Sequence, residues 1–326
     1  AHFYVTATDP TTSQASTETQ ASNTVTAASS TAGGGDNTVE AGKRWFVSIA
    51  ATGASGTKCW SDYQTWRTNW APASRTNLDA QSWYTTARGL SGGTVLTGTP
   101  TVSQINSALQ GASVVGIPAG NYSSMNAMVV VPAGKTLYVV GGGLAMFDMT
   151  NAPLHGIQLN DGARLVGVSI TGCPGAAIWF NGSNQRMYKV GHYDVGRNGW
   201  PAYAANGSLD VILVSVEGLR CSGGGEGDGL KCGPFSGGNW TVIDGHGFEN
   251  DDDGFDEWNS SYSNFYHFCT SIRNGKNTGI YAQPGDGGGF KLGGPVGSSV
   301  AQYLNQCVAT DNGRVVGSGG AGFNSN

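Results

Sequence analysis

Short runs of apolar residues alternate with Gly, Asn and Asp from about residue 113 onward. The clearest runs are 113–117, 128–131, 136–140 and 163–170. Runs of this length, bounded by turn-forming residues, predict many brief β-strands. Just before them, residues 101–109 have apolar side chains at helical spacing and predict one short helix.

Four later segments share one pattern, in which a glycine is followed by a large apolar residue and then a polar one. Together with two earlier residues, the apolar positions form a series with steps of 25, 27, 25, 35 and 33 residues: Ile178, Tyr203, Leu230, Phe255, Phe290 and Phe323. A coil of about 25 residues, with loops inserted into some turns, is typical of a solenoid. We therefore predict an all-β protein, a right-handed parallel β-helix with an N-terminal cap, in which these six side chains stack inside and the residues after them point outward.

The chain before this repeat has a different composition. Residues 1–42 are rich in Ser and Thr and predict a flexible segment. Residues 43–112 are predicted to form the cap, and residues 113–326 the β-helix catalytic domain. The cap contains five of the nine tryptophans (Trp45, Trp60, Trp66, Trp70 and Trp83), for which a sugar-stacking platform is the alternative interpretation.

Residues 249–257 contain six of the chain's 22 acidic residues: Glu249, Asp251, Asp252, Asp253, Asp256 and Glu257. Like charges this close repel unless a cation lies among them, and carboxylate oxygens favour calcium. A solvated acidic loop is the alternative. The spacing excludes an EF-hand, because Ser260 stands where the twelfth position requires a bidentate Glu.

The predicted register brings acidic residues of neighbouring coils together. Lys231, Asp256 and Lys291 should form one outward column, with a step of about 4.8 Å. Asp228 precedes the paired aspartates by one coil length. We therefore predict one calcium ion bound by four converging carboxylates: Asp228, Asp252, Asp253 and Asp256.

Charge and cysteine content narrow the possible partners and the compartment. The net charge is −5 without a basic run, which argues against nucleic acid and anionic membranes as partners. Six cysteines without a Cys-x-x-Cys pair favour a secreted protein with up to three disulfides, of which Cys221–Cys232 is the favoured pairing. We also expect a monomer. Sequons permit N-glycosylation at five positions: Asn121, Asn181, Asn206, Asn239 and Asn259.

Three motifs in this order resemble the calcium-dependent pectate lyases of polysaccharide lyase family 9. They are Asp-Gly-Leu-Lys at 228–231, Asp-Asp-Gly-Phe-Asp at 252–256, and Gly-Asp-Gly-Gly-Gly-Phe-Lys-Leu-Gly-Gly at 285–294. The resemblance covers about residues 190–326. It implies that the four aspartates named above bind calcium, that Lys291 is the catalytic base, and that the substrate is an acidic polysaccharide, polygalacturonate or pectate.

The implied chemistry is consistent with the residue types. β-Elimination in a uronan removes the C5 proton, which is acidic only when the adjacent carboxylate is neutralised, and calcium can supply that neutralisation. Lys291 is then the base, with an ion pair to Asp256 as the alternative interpretation. Lys231 and Arg273 are candidates for binding neighbouring substrate carboxylates.

Two other functions fit a β-helix. One is a glycoside hydrolase of polygalacturonase type, which would use aspartates as general acid and base. The sequence Asp244-Gly-His246-Gly suggests it, but here the Gly-His-Gly precedes the paired aspartates instead of following them. The other is a non-catalytic, calcium-stabilised adhesin or structural surface protein, which the Ser/Thr-rich start would suit.

Overall fold

A computed structural model describes residues 80–326, except 124, 197–199, 206, 232–237, 258–259, 261, 276–284, 286, 294–301, 314–321 and 326. The predicted flexible segment and four of the five cap tryptophans lie outside the described residues. The division of the chain into three parts therefore stays a prediction.

The described residues form two α-helices, two short 3-10 turns at Val140–Gly142 and Gly224–Glu226, and many short strands. The helices are α1 (Ala80–Arg88) and α2 (Val102–Gly111). Neither has the length and apolar character needed to cross a membrane. The strands are β1 (Thr94–Val95), β2 (Val114–Ile117), β3 (Gly120–Tyr122), β4 (Val129–Val131), β5 (Thr136–Val139), β6 (Ala145–Asp148), β7 (Ile157–Leu159), β8 (Arg164–Val166), β9 (Val168–Thr171), β10 (Ile178–Phe180), β11 (Arg186–Val195), β12 (Tyr203–Ala205), β13 (Ile212–Cys221), β14 (Leu230–Lys231), β15 (Thr241–Phe248), β16 (Phe255–Asp256), β17 (Phe265–His267), β18 (Thr270–Ile272), β19 (Phe290–Leu292), β20 (Tyr303–Asn305), β21 (Val308–Thr310) and β22 (Phe323–Ser325).

The strands wind into a parallel β-helix, which confirms the predicted fold class. The large sheet runs in the order β1-β2-β5-β8-β11-β13-β15-β17-β20 and also contains β3, β6, β9, β18 and β21. The remaining strands form two four-stranded sheets, β4-β7-β10-β12 and β14-β16-β19-β22. Ala202 N–H donates to Asp228 C=O at 3.0 Å, which continues the first small sheet into the second. Together these two small sheets are called the site face below.

Three long strands turn a corner of the coil without ending. Lys189 in β11, Ser215 in β13 and Asp244 in β15 have φ values of 56°, 51° and 57°. Pairing skips these residues and resumes on either side of them. A left-handed conformation costs a non-glycine residue roughly 1–2 kcal/mol. Because the corners stack at the same point in successive coils, the ladder on both flanks is preserved.

The predicted apolar series lies inside the coil in the expected register. Ile178 pairs with Tyr203, and Leu230, Phe255, Phe290 and Phe323 follow one another in adjacent strands. The Phe255 and Phe290 rings stack at 4.5 Å between centroids, and the Phe290 and Phe323 rings at 5.1 Å. All six are fully buried except Phe323 in the last described strand, which is 39% exposed.

Helix α2 closes the N-terminal end of the coil. It corresponds to the predicted 101–109 helix and begins with a capping box between Thr101 and Gln104. Its apolar side chains belong to the core, and Asn106 accepts a hydrogen bond from Val130 N–H and donates one to Met128 C=O. This amide therefore substitutes for a neighbouring strand at the open edge of β4.

Helix α1 packs against the outer side of the large sheet. Trp83 Nε1 donates to Met187 C=O at 2.8 Å, and the Tyr84 ring meets the Tyr188 ring edge-on. Trp83, the one described tryptophan of the predicted cap, is thus buried against the side of the coil and not at its end.

The predicted disulfide framework is not found among the described residues. Cys173, Cys221, Cys269 and Cys307 are buried thiols. Cys221 Sγ donates to Trp200 C=O at 3.4 Å, and burial raises the pKa of this thiol. The favoured Cys221–Cys232 pairing is therefore not supported, and Cys232 itself lies outside the described residues.

Truncation of the aromatic stack should test its contribution to stability. Phe290→Ala should lower the free energy of unfolding by about 3–5 kcal/mol, because the ring is fully buried between two others. Phe323→Ala is the matched control and should have a clearly smaller effect, since its ring is 39% exposed. Urea unfolding of both variants measures the difference, and equal losses would contradict the stacking argument.

Candidate metal centre

Outward side chains of the second small sheet form the predicted charged column. Lys231 in β14 pairs with Asp256 in β16, and Asp256 pairs with Lys291 in β19. Each strand is only two or three residues long, with an inward apolar residue followed by an outward charged one. The alternation of a β-strand therefore puts these charges outside the hydrophobic stack.

Three of the four predicted metal ligands converge beside the charged column, and Asp256 belongs to it. One carboxylate oxygen from each of Asp228, Asp253 and Asp256 lies within 4.8 Å of the other two, and these three residues are called the acidic cluster below. All three residues are buried, with exposed fractions of 0–1%. The fourth, Asp252, accepts a hydrogen bond from Gly287 N–H at 3.3 Å and is close enough to raise the pKa of Asp228 and Asp253.

Backbone amides hold two of these carboxylates in place. Asp228 Oδ1 accepts from Asp253 N–H at 3.1 Å, and Asp253 Oδ1 accepts from Gly288 N–H at 2.6 Å. Gly287 has φ 78°, and a Cβ there would lie 2.6 Å from Gly275 Cα. The absence of a side chain at Gly287 thus allows the backbone to pass close to Gly275, with the amides of Gly287 and Gly288 directed at Asp252 and Asp253.

Lys231 is directed into the acidic cluster. Its Nζ lies 2.8 Å from Asp256 Oδ2, 3.0 Å from Asp228 Oδ2 and 2.9 Å from Glu226 Oε2, and its side chain is only 3% exposed. Burial alone would lower the pKa of Lys231, but these carboxylates outweigh burial and raise it. A substrate-binding role for Lys231 stays a prediction, and its present contacts are internal to the cluster.

Lys291 lies at the edge of the cluster and is the more accessible of the two lysines. Its side chain is 20% exposed, and its Nζ is 3.2 Å from Asp253 Oδ2. Burial lowers the pKa of Lys291, whereas Asp256, Asp253 and Asp252 raise it more strongly. The ammonium form is therefore favoured as long as those carboxylate charges are not compensated by something else.

The donor set fits a hard divalent cation. Burial raises the pKa of Asp228 well above its usual range and that of Asp253 to about 7, and the neighbouring carboxylates add to both shifts. Lys231 and Lys291 lower these two pKa values but do not outweigh burial and the neighbouring carboxylates, so the ionised forms are only partly compensated by positive charge. Carboxylate oxygens without nitrogen or sulfur donors suit calcium. Asp228, Asp253 and Asp256 are the residues that would hold it, with Asp252 beside them.

The other acidic residues of 249–257 have separate structural partners. Asp251 Oδ2 accepts from Gly223 N–H at 2.9 Å, and Glu257 accepts from the Asn264 amide. Glu249 lies 3.1 Å from Arg273, which is half exposed and also 3.6 Å from Asp311. A solvated acidic loop is thus not observed. Substrate binding by Arg273 stays a prediction, since its present contacts are with these two acidic residues.

A column of asparagines beside the acidic cluster was not singled out from the sequence. Asn250 N–H and its side-chain amide donate to Asn274 Oδ1 at 3.1 and 2.8 Å, and Asn274 donates in the same way to Asn312 Oδ1. Asn250 Oδ1 also accepts from Cys221 N–H. Asn250, Asn274 and Asn312 recur once per coil, at steps of 24 and 38 residues, and this recurrence is the signal that could have identified them.

Asp244 and His246 lie away from the acidic cluster, in β15 of the large sheet. His246 Nε2 is 3.0 Å from Asp244 Oδ1, and Ser215 Oγ donates to Asp244 Oδ2 at 2.8 Å. All three residues are buried. This arrangement supports the interpretation of His246 as a structural residue.

The chain belongs to the Pel9A-like β-helix family. The family model for the Pel9A-like right-handed β-helix region matches residues 83–326, which is most of the chain. Among solved structures, the crystal structure of pectate lyase Pel9A is similar, with a TM-score of 0.55 and 17% identity over 69% of this chain and 65% of that one. A rhamnogalacturonan lyase gives a TM-score of 0.42 at 19% identity over 58% of this chain and 57% of that one. No curated protein matches. The resemblance predicted for residues 190–326 is thus confirmed, and the matched region begins earlier.

Removal of the Lys231 charge should destabilise the metal-free protein. In the presence of a chelator, Lys231→Met should lower the free energy of unfolding by about 3 kcal/mol or more, because buried carboxylates lose their counter-charge. Calcium should recover more stability in the variant than in the wild type. Urea unfolding with chelator and with calcium measures both effects. Lys135→Met is the control, because Lys135 is partly exposed and its Nζ donates to Gln110 C=O at 2.7 Å. A Lys231→Met variant no less stable than this control would contradict the argument.

The raised pKa of Asp253 predicts a pH-dependent stability. The pKa of Asp253 is about 7 in the folded protein and 3.8 ordinarily. Between these two pH values the folded state therefore holds a proton that the unfolded state has released. This stabilisation is fully present below the ordinary pKa and is lost as the pH rises through about 7. In chelator, the stability of the wild type should therefore fall over this range relative to Asp253→Asn. A pH-independent difference between the two proteins in urea unfolding would refute the assignment.

Proposed function

We propose that this protein is a secreted polysaccharide lyase that cleaves polygalacturonate or pectate by calcium-assisted β-elimination. The observation that carries the proposal is the convergence of Asp228, Asp253 and Asp256 within 4.8 Å, with the Lys291 ammonium 3.2 Å from Asp253. Three buried carboxylates and a partly exposed lysine thus lie side by side on the site face. The family and the fold of pectate lyase Pel9A support the same class of enzyme.

Each residue has a distinct role in the proposed reaction. The aspartates hold calcium, and calcium when bound neutralises the uronate carboxylate and so makes the C5 proton acidic. The electron pair left at C5 forms the C4=C5 double bond as the C4–O4 glycosidic bond breaks, and the leaving oxygen takes a proton from solvent. Lys291 accepts the C5 proton at Nζ. It can do so only when uncharged, which requires that the negative charge of its three aspartate neighbours be compensated, since these raise its pKa. Lys231 and Arg273 bind neighbouring substrate carboxylates in this proposal, and Lys231 also contacts Asp228 and Asp256 at 3.0 and 2.8 Å.

The proposed substrate follows from the charges around the site. A net charge of −5 gives a polyanion no general attraction to this protein. Binding must therefore depend on the metal and on a few cationic side chains, of which Lys291 is 20% exposed and Arg273 46% exposed. A uronan with free carboxylates is favoured over a highly methylated pectin, because an ester offers the metal no charge.

Activity on polygalacturonate tests the proposal. The wild type with calcium should release unsaturated uronides, detected by their ultraviolet absorbance, and a chelator should abolish the release reversibly. Lys291→Ala should lose at least about 100-fold in kcat while keeping calcium affinity, because it removes the base and leaves the ligands. Asp253→Ala should lose both, and isothermal titration with calcium separates the two outcomes.

The alternatives give different results in the same assay. Release of reducing ends without unsaturated products would indicate a glycoside hydrolase. Calcium-dependent stabilisation without cleavage of any uronan would indicate a non-catalytic surface protein. A Lys291→Ala variant within a few-fold of the wild type would exclude Lys291 as the base.

A further inference from the structure

A second group of side chains on the site face lies N-terminal to the acidic cluster. Trp179 in β10 pairs with Ala204 in β12. The hydrogen bond from Ala202 N–H to Asp228 C=O continues this register, so that Ala204 stands beside Lys231. Trp179 is thus two coil steps, or about 10 Å, from Lys231 along the same outward column.

Three aromatic rings from successive coils meet at this point. The His155 ring stacks on Trp179 at 4.9 Å with an interplanar angle of 13°, and Trp200 meets them edge-on at 4.8 and 5.6 Å. Each of the three residues is partly exposed, and the adjacent Leu154 is 36% exposed. We call His155, Trp179 and Trp200 the aromatic cluster.

The aromatic cluster is not part of the hydrophobic core. Ile178 and Phe180, on either side of Trp179, point inward and are fully buried. Trp179 therefore points outward, where the fold does not require a large ring. A group of partly exposed aromatic rings on the outside of a coil is unusual where the rings have no binding role.

Polar groups suited to sugar hydroxyls surround the aromatic cluster. Gln158 pairs with Trp179 in the neighbouring coil, and its amide belongs to a network with Asn160 and Asn181. His155 Nδ1 accepts from Ala176 N–H at 3.1 Å, so that the neutral imidazole carries its proton on Nε2. Burial also lowers the pKa of His155, which keeps the ring uncharged at neutral pH.

We infer that the aromatic cluster is a sugar-stacking subsite, which binds a pyranose ring of the polysaccharide two or three units from the acidic cluster. The inference rests on the proposed function, because it assumes that the aromatic cluster binds the same polysaccharide molecule as the metal centre. A galacto-configured ring carries the C–H bonds of C3, C4 and C5 on one face, and that face can pack on indole. The spacing of the outward column favours one continuous polysaccharide across both sites, since one coil step is similar in length to one sugar unit.

The subsite complements the metal centre in its electrostatics. A uronan chain that reaches beyond the metal centre meets a negatively charged protein. None of the residues of the aromatic cluster is acidic, and stacking depends on ring faces and not on charge. Binding there should therefore be much less sensitive to salt than binding at the metal centre.

The test compares Trp179→Ala with Trp179→Phe. Trp179→Ala should bind polygalacturonate about fivefold more weakly, equivalent to about 1 kcal/mol, whereas Trp179→Phe should retain most of the affinity because it keeps a ring. Affinity electrophoresis in polygalacturonate gels and isothermal titration on the calcium-loaded full chain measure this loss. In turnover, Trp179→Ala should raise KM on the polymer with little change in kcat. It should have a much smaller effect on kcat/KM with a trimer, because a trimer at the metal centre reaches Trp179 in only some of its binding registers.

Controls separate a binding role from a structural one. Phe323→Ala also removes an aromatic ring that is partly exposed. Phe323 belongs to the inward column and lies at the other end of the described coil. Phe323→Ala should therefore leave the affinity for polygalacturonate unchanged. A thermal shift in Trp179→Ala without loss of affinity would overturn the inference. So would an equal loss on the trimer and the polymer, because that points to a general disturbance of the site face.

The outcomes also distinguish this inference from the proposed function. If the wild type binds a neutral polysaccharide but no uronan, and Trp179→Ala loses that binding, the subsite stands and the uronan substrate falls. If the wild type cleaves polygalacturonate and Trp179→Ala binds it equally well, the subsite falls and the lyase stands. Absence of binding to all polysaccharides tested, acidic and neutral, would overturn both.

Discussion

The hydrogen-bond register between successive parallel coils is the constraint on which the rest of this structure depends. Each coil contributes one residue to each column, and neighbouring residues in a column lie about 4.8 Å apart. A shift by one residue would exchange the interior and exterior of every strand. Corner residues such as Ser215 and Asp244, which have left-handed backbones, stack in successive coils and so let the register continue on either side.

The same register creates an electrostatic problem at one edge of the site face. It brings Asp228, Asp253 and Asp256 together in a region from which water is largely excluded. Burial and the neighbouring carboxylates raise the pKa of Asp228 and of Asp253, so the protonated forms of these two groups are favoured. Two lysines compensate part of this charge, Lys231 inside the acidic cluster and Lys291 at its edge. The two lysines differ in exposure, since the side chain of Lys231 is 3% exposed and that of Lys291 is 20% exposed.

Inward and outward columns of the site face have different physical roles. The inward column is a stack of aromatic and aliphatic side chains, and together with the asparagines it fixes the spacing of the coils. The outward column changes its chemistry along the axis, from Trp179 through Ala204 to the alternating charges of Lys231, Asp256 and Lys291. One polymer lying along this column would meet an aromatic surface first and a charged one after it.

Sequence by itself determined the fold class, the inward series from Ile178 to Phe323 and the outward column of Lys231, Asp256 and Lys291. The reason is that a repeated coil maps positions along the chain onto positions in space, so that spacing alone predicts neighbours. Only the tertiary structure decided how the acidic residues of 249–257 divide into one convergent group and several separately bonded ones, because this depends on the backbone amides of Gly223, Gly287 and Gly288. It also decided that Lys231 is buried among carboxylates, that the described cysteines are thiols, and that His155, Trp179 and Trp200 meet. Those outcomes depend on loop geometry and side-chain direction, which no regular spacing encodes.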